Sequence, residues 1–124
     1  MPIAHTIDPE RRVVQSRLWD VVTETDAWGS AAALMNDPSF DPTFSQLADM
    51  REMKQVEVDQ STVRELAVMR IFAPESKRAL VVASDLQYGI GRMTTSYAEA
   101  GDQQIAIFRT VGEAERWLGI AQEA

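Results

Sequence analysis

The segment Ser84–Met93, SDLQYGIGRM, concentrates more binding chemistry than any other stretch of this 124-residue chain. Tyr88 and Arg92 stand four positions apart, which makes them neighbours on a helix. The guanidinium can lie against the phenol ring or share a pocket with it. Asp85 stands where that helix opens, at the carboxyl end of an apolar run, the place where open α/β sheets hold ligands. Free backbone N–H groups at such a helix start favour an anion. Asp85, Tyr88, Gly89 and Arg92 are therefore the candidate ligand-binding residues, suited to an apolar or anionic small molecule. A purely structural reading competes, with Asp85 as an N-cap whose charge takes the anion's place, and Gly89 and Gly91 letting the helix pack close to the sheet. The GIGRM spacing is not that of a dinucleotide-binding turn, and it lies on the helix rather than before it.

No set of residues assembles a catalytic centre. The chain has no cysteine, which removes disulfides, thiol nucleophiles and thiolate metal sites. Its one histidine, His5, has no second imidazole with which to hold zinc, and no Gly-flanked serine elbow accompanies it for Ser-His-Asp catalysis. It is expected to be an ordinary half-exposed residue on an edge strand. Carboxylate pairs such as Asp49 with Glu52, or Glu113 with Glu115, read most simply as solvated acids and caps. The expectation is a non-enzymatic protein with no metal and no cofactor.

Charge narrows the partners. Twelve Lys and Arg against 19 Asp and Glu give a formal charge of −7, so polyanions are repelled on average. The tight basic pairs Arg11–Arg12 and Lys77–Arg78 are each flanked by acids and are too few for a nucleic-acid face. The uncharged stretch Ala27–Asn36 is about half of the roughly 20 residues a membrane span needs. The N-terminus lacks the basic start and apolar run of a signal peptide. The chain is expected to be cytoplasmic, with no membrane span and no nucleic-acid partner.

A second candidate region lies between positions 28 and 53, where apolar residues crowd together. Trp28, Met35, Phe40, Phe44, Met50 and Met53 form a candidate interaction surface, because Met and aromatic side chains suit adaptable interfaces. It predicts a homodimer or a protein partner. The alternative is a plain core with a loop packed over it.

The elements that must position these residues follow from patterning. A short strand at His5–Ile7 turns at Asp8–Arg11 into a second strand, Arg12–Leu18. Thr23 and Thr25 are candidate N-caps, Thr23-x-x-Asp26 resembles a capping box, and the helix stops near Asn36 before Asp37-Pro38. Phe44–Met50 is the next strand, with Val56 and Val58 in an irregular connection. Asp59 caps a second helix carrying Val63, Leu66, Ala67, Arg70 and Ile71, which Pro74 ends. Ala79–Ala83, ALVVA, reads as a strand buried on both faces. Asp85 opens a third helix with an apolar stripe of Leu86, Ile90, Met93 and Tyr97, closed by Gly101. Ile105–Phe108 is the last strand. Thr110-x-x-Glu113 caps a final helix that buries Val111, Ala114, Trp117 and Leu118. The order β-β-α-β-α-β-α-β-α makes one α/β domain over residues 1–124.

This order and the segments TIDPERRVVQSRL, NDPSFDPTFSQLADMRE, KRALVVASDLQYGIGRM and IAIFRTVGEAERWL resemble the SpoIIAA-like group of STAS-type domains, over Thr6–Leu118. The resemblance implies a mixed sheet of four to five strands with about four helices, and a bacterial regulatory or protein-interaction module. In the group's phosphorylatable antagonists a strand ends in Asp, and a serine in an Asp-Ser-Ser-Gly-like motif opens the next helix. Asp49 and Asp59-Gln60-Ser61-Thr62 occupy those places. The acceptor position falls on Gln60, with Thr62 replacing the Gly, and a register shift of one makes Ser61 the candidate phospho-switch. The plainer reading of Ser61 and Thr62 is a solvated first helical turn. The STAS-type fold is also similar to the CRAL-TRIO lipid-binding fold, so the resemblance leaves a small-molecule or lipid carrier as the alternative function, with its pocket near Tyr88 and Arg92.

Overall fold

The computed structural model describes residues 2–69, 71–100 and 103–120. Its elements come in the predicted order: β1 (Ile3–Asp8), β2 (Val13–Thr23), α1 (Glu24–Met35), β3 (Ser45–Glu57), α2 (Gln60–Val68), β4 (Lys77–Val81), α3 (Asp85–Ala100), β5 (Gln104–Phe108) and α4 (Val111–Leu118). Local chemistry sets several boundaries. Asp8 Oδ1 accepts from the backbone N–H groups of Glu10 and Arg11 at 3.1 and 3.2 Å, closing the β1–β2 turn. Thr23 Oγ1 accepts from the Asp26 N–H at 3.3 Å while Asp26 Oδ2 accepts from the Thr23 N–H at 2.9 Å, the reciprocal cap that starts α1. At α4, Thr110 Oγ1 accepts from the Glu113 N–H at 3.2 Å, and Gly119 ends the helix in the left-handed region at φ 75°.

β1 and β2 are antiparallel; β2–β3, β3–β4 and β4–β5 are parallel. The spatial order of the five strands is their sequence order, so each parallel crossover moves the chain one strand the same way. Right-handed connections then deliver their helices to one side. Ala31 and Leu34 of α1 accordingly pack with Val14 and Phe44, and Tyr88 and Ile90 of α3 with Ala48 and Leu80. Neighbouring strand residues point the other way. Leu47, Ala79 and Val81 therefore meet Ala114 and Leu118 of α4 on the opposite face.

Several elements differ from expectation. β2 continues past Leu18 to Thr23 and β3 past Met50 to Glu57, because the two pair in parallel as far as Thr23↔Glu57. Val56 is thus a strand residue, and Val58 packs on the core just beyond it. Irregular register near Trp19 and a left-handed Asp20 (φ 52°) absorb the strain of that extension. α2 stops at Val68 with Met69 already extended, so Pro74 does not end it, and Ile71 and Phe72 leave the helix to enter the core. Arg70 and Gly101 lie outside the described residues. In α3 the stripe is rotated. Leu86 is 50% exposed, and the buried positions are Gln87, Gly91 and Ala98. A Cβ on Gly91 would lie 3.1 Å from Ile107 Cδ1, whereas one on Gly89 would meet nothing within 4 Å, so Gly91 alone serves close packing on β5.

The buried glutamine has a definite task. β4 pairs with β3 only from Gln46 to Asp49, which leaves the rest of β3 with an open edge. Gln87 Nε2 donates to the carbonyls of Met53 at 2.8 Å and Arg51 at 3.1 Å, where a longer β4 would have bonded. Its Oε1 accepts from the N–H groups of Ala83 and Ser84 at 2.7 and 3.2 Å. Ser84 Oγ in turn accepts from the Gln87 N–H at 3.2 Å, so Ser84 and not Asp85 is the cap of α3. Gln87→Leu keeps the volume but strands the N–H groups of Ala83 and Ser84 and the carbonyls of Arg51 and Met53. Urea unfolding is expected to show a loss of roughly 2–4 kcal/mol. Gly89→Ala is expected to gain up to about 1 kcal/mol. A loss below about 1 kcal/mol for Gln87→Leu would mean that the β3 edge does not depend on it.

Candidate functional site

Four strands each place one polar residue among apolar ones on the face covered by α1, α2 and α3. The alternations are Ile3-His5-Ile7, Val14-Ser16-Leu18, Phe44-Gln46-Ala48 and Arg78-Leu80-Val82. Register brings the polar members close together: His5 opposite Ser16, Gln46 opposite Arg78, and Ser16 two residues along β2 from Val14, the partner of Gln46. They form a continuous hydrogen-bonded row. Arg78 Nε donates to Gln46 Oε1 at 3.1 Å, and Gln46 Nε2 donates to Ser16 Oγ at 2.9 Å. Ser16 Oγ lies 2.7 Å from His5 Nδ1, and His5 Nε2 reaches the Ser30 carbonyl and hydroxyl at 3.3 Å. Ser16 and Gln46 are 4% and 7% exposed, so these bonds replace water rather than supplement it.

The row has a direction. A guanidinium can only donate, which fixes the Gln46 carbonyl toward Arg78 and its amide NH₂ toward Ser16. The Ser30 carbonyl can only accept, so His5 Nε2 carries a hydrogen, and in neutral imidazole Nδ1 then accepts from the Ser16 hydroxyl. Burial pushes the His5 imidazole below the ordinary value of 6.5, which favours this neutral form.

Arg78 is the unusual member. Its Cζ lies 4.7 Å from the Phe72 ring centroid, a favourable cation–π placement. Its Nη1 is sealed from solvent and has no hydrogen-bond partner. No carboxylate among the described residues pairs with it, and burial brings the guanidinium down to about 10. Arg78 is half-buried as a residue, with its Nη1 the sealed part, and a charge so placed without a counter-charge is unfavourable.

In front of the row lies a space of about 210 Å³. α1 stands over β1 and β2, while α2 packs against α3, which sits on β5. The space is what separates the two groups. Ala27, Ser30, Ala31 and Leu34 line it from α1, Val63 and Leu66 from α2, and Ile90 and Thr94 from α3. Its floor runs from Gln46 and Arg78 over Ala48 and Leu80 to Met50. Met50 is four residues beyond Gln46, roughly 13 Å along the strand at about 3.3 Å per residue. The site is thus polar at one level, cationic at Arg78, and apolar beyond.

Of the sequence candidates, Tyr88 and Arg92 do come together, with Arg92 Cζ 6.0 Å and Arg109 Cζ 4.8 Å from the Tyr88 ring centroid. They do so on a different side of α3 from Ile90 and Thr94, and none of Asp85, Tyr88, Gly89 and Arg92 lines the cavity. Asp85, Gly89 and Arg92 are exposed, and Tyr88 is half-buried. The proposed interaction surface is divided. Phe44, Met50 and Met53 are buried in the core and are no surface, because their strand faces the helix layer; Met50 and Met53 line the cavity instead. Phe40 is half-buried with its ring edge-on to Phe72 at 5.2 Å, Trp28 is half-buried, and Met35 is 48% exposed.

Ser61 is exposed in the first turn of α2. Glu24 already occupies that helix end: its Oε1 accepts from the Asp59 N–H at 3.0 Å and from Thr62 Oγ1 at 2.7 Å, which holds its carboxyl below the usual range. Asp59 is the N-cap by position but makes no side-chain cap. Asp49 is not a strand-end acid; it lies within β3, bonded by Arg51 Nη2 at 2.8 Å. The residues that sequence reasoning missed are Ser16, Gln46 and Arg78, with His5 as their terminus. The signal was available as one polar residue on the core-facing side of four successive strands.

The row predicts a pH dependence. Because folding lowers the His5 pKa from 6.5, the stability tied to its neutral form is complete above that pH and is lost as pH falls through the folded value. Unfolding free energy should therefore decline below pH 6.5, before the carboxylates titrate, with a limiting slope of about 1.4 kcal/mol per pH unit. His5→Gln should flatten that region in denaturant titrations, and an unchanged slope in the variant would remove His5 as its cause.

No family model matches this sequence, and no curated protein matches it. Among solved structures, the chain is similar to an uncharacterized protein of the DUF3478 family with a SpoIIAA-like fold from Shewanella loihica PV-4, with a TM-score of 0.64 and 16% identity, covering 94% of this chain and 93% of that one. At that identity the likeness concerns the path of the backbone and leaves the polar row to be argued from this chain alone. The five-stranded mixed sheet, four helices and their order are those of a SpoIIAA-like fold.

Proposed function

We propose that this chain is a small-molecule binding protein whose ligand lies between the sheet and the layer of α1, α2 and α3. The observation that carries the reading is the apolar space of about 210 Å³ that its own side chains leave unfilled. Protein interiors are close-packed. The apolar side chains lining this recess lack packing partners on one side, which is unfavourable until a ligand fills it. A ligand restores those contacts, and the thioethers of Met50 and Met53 adapt to its shape. Ala27, Val58 and Thr94 are part-exposed and form its rim. Room for roughly seven water-sized groups suits a short aliphatic or monocyclic molecule.

The self-association reading retains Trp28 and Met35, seven residues apart on α1 and so on one side of that helix. Native mass spectrometry separates the two readings, since a mass excess lost on denaturation supports a ligand and an empty dimer supports self-association. Calorimetry with octanol then tests the cavity. Wild type is expected to bind it saturably, one per chain. Ala48→Phe projects a ring into the space and should weaken binding at least about tenfold without lowering the melting temperature. Arg92→Ala and Tyr88→Phe should leave it unchanged. Undiminished binding by Ala48→Phe would place the ligand elsewhere.

A further inference from the structure

Resting on the reading that the cavity takes a small ligand, we infer that this ligand is a monocarboxylate, its head paired with the Arg78 guanidinium and its apolar body lying over Ala48, Leu80 and Met50.

The argument begins with donors and acceptors. Arg78 carries five N–H donors. Among the described residues one of them has a hydrogen-bond partner, Nε on Gln46 Oε1, and Nη1 is buried with no partner. The rest of the row cannot help, because each member is already committed in one direction: Gln46 to Ser16, Ser16 to His5, His5 to Ser30. The row therefore offers the cavity donors and positive charge.

The charges elsewhere sharpen the point. The chain has 19 acidic residues against 12 basic ones, yet its ion pairs among the described residues, such as Arg17 with Glu52 and Arg51 with Asp49, lie at exposed or part-exposed sites. Arg78 has a ring and an amide instead, and among the described residues it is the sole Lys or Arg lining the cavity. A single guanidinium matches a single negative charge. Its planar fork matches a carboxylate with two parallel hydrogen bonds, and the dry surroundings strengthen that pair. The apolar floor beyond it sets the rest of the molecule, a short hydrocarbon that continues along β3 away from the row.

Octanoate and octanol test this directly, because they share a chain and differ in the head. At pH 7 and low salt, calorimetry on the intact protein should show the acid binding at least about tenfold tighter than the alcohol, as expected for a hydrogen-bonded charge pair. Arg78→Gln keeps a donor for Gln46 and should bring the acid down to the level of the alcohol. A second readout needs no variant: octanoate labelled with ¹³C at the carboxyl should titrate at lower pH when bound than when free, since Arg78 favours the ionised form. Equal binding of acid and alcohol to wild type, or an unshifted carboxyl titration, would overturn the carboxylate assignment while leaving the cavity reading in place. Binding of neither molecule would overturn both.

Discussion

The handedness of the crossovers governs this structure. Since the sheet order is the sequence order, every parallel connection advances in one direction, and right-handed crossovers must place α1, α2 and α3 on one face. The other face receives only α4, which seals Leu47, Ala79 and Val81. The crowded face is not evenly covered, however. α1 goes with the β1–β2 hairpin, and the pair of α2 and α3 goes with β5. The core on that side is consequently split into two clusters, one around Phe44 and Phe72 and the other around Met50 and Leu80.

The polar row lies along that split. Ile7 and Val14 belong to one cluster and Ile3 and Leu18 to the other, with His5 and Ser16 between them in the strands. Each neutral hydrogen bond in such a row contributes only about 1 kcal/mol net, but breaking one leaves a buried group unsatisfied at greater cost. The row is thus held less by the strength of its bonds than by the penalty for losing any of them. It also fixes the pairing register, because a slip of one residue would turn the polar side chains to the α4 face and break the chain from Arg78 to Ser30.

Much of this was legible in the sequence where the determining contacts are local. The caps at Thr23 and Thr110 and the turn at Asp8 involve partners within three residues, and the structure has them as expected. What was illegible depended on distant partners. The far half of β3 is stabilised on one edge by β2 and on the other by Gln87, and nothing near Met50 announces either. Asp85 looked like a cap because its type suits one, but Ser84 and Gln87 form the reciprocal pair. Arg78 was misread for a simpler reason. Beside Lys77 it looks like half of a basic surface pair, yet adjacent strand residues face opposite ways. Lys77 reaches Trp117 on the α4 side, and Arg78 turns inward.

The same backbone frame can therefore carry its chemistry in different places. A phosphate-controlled module needs a helix start able to accept an added negative group. In this chain Glu24 reaches across from α1 to the start of α2, bonded to the Asp59 N–H and the Thr62 hydroxyl. Glu24 thus gives the start of α2 a fixed anion. Among the described residues, the cation that the helix-covered face of the sheet holds without a carboxylate partner is then a strand residue. It is Arg78, where the strand row ends and the apolar space begins.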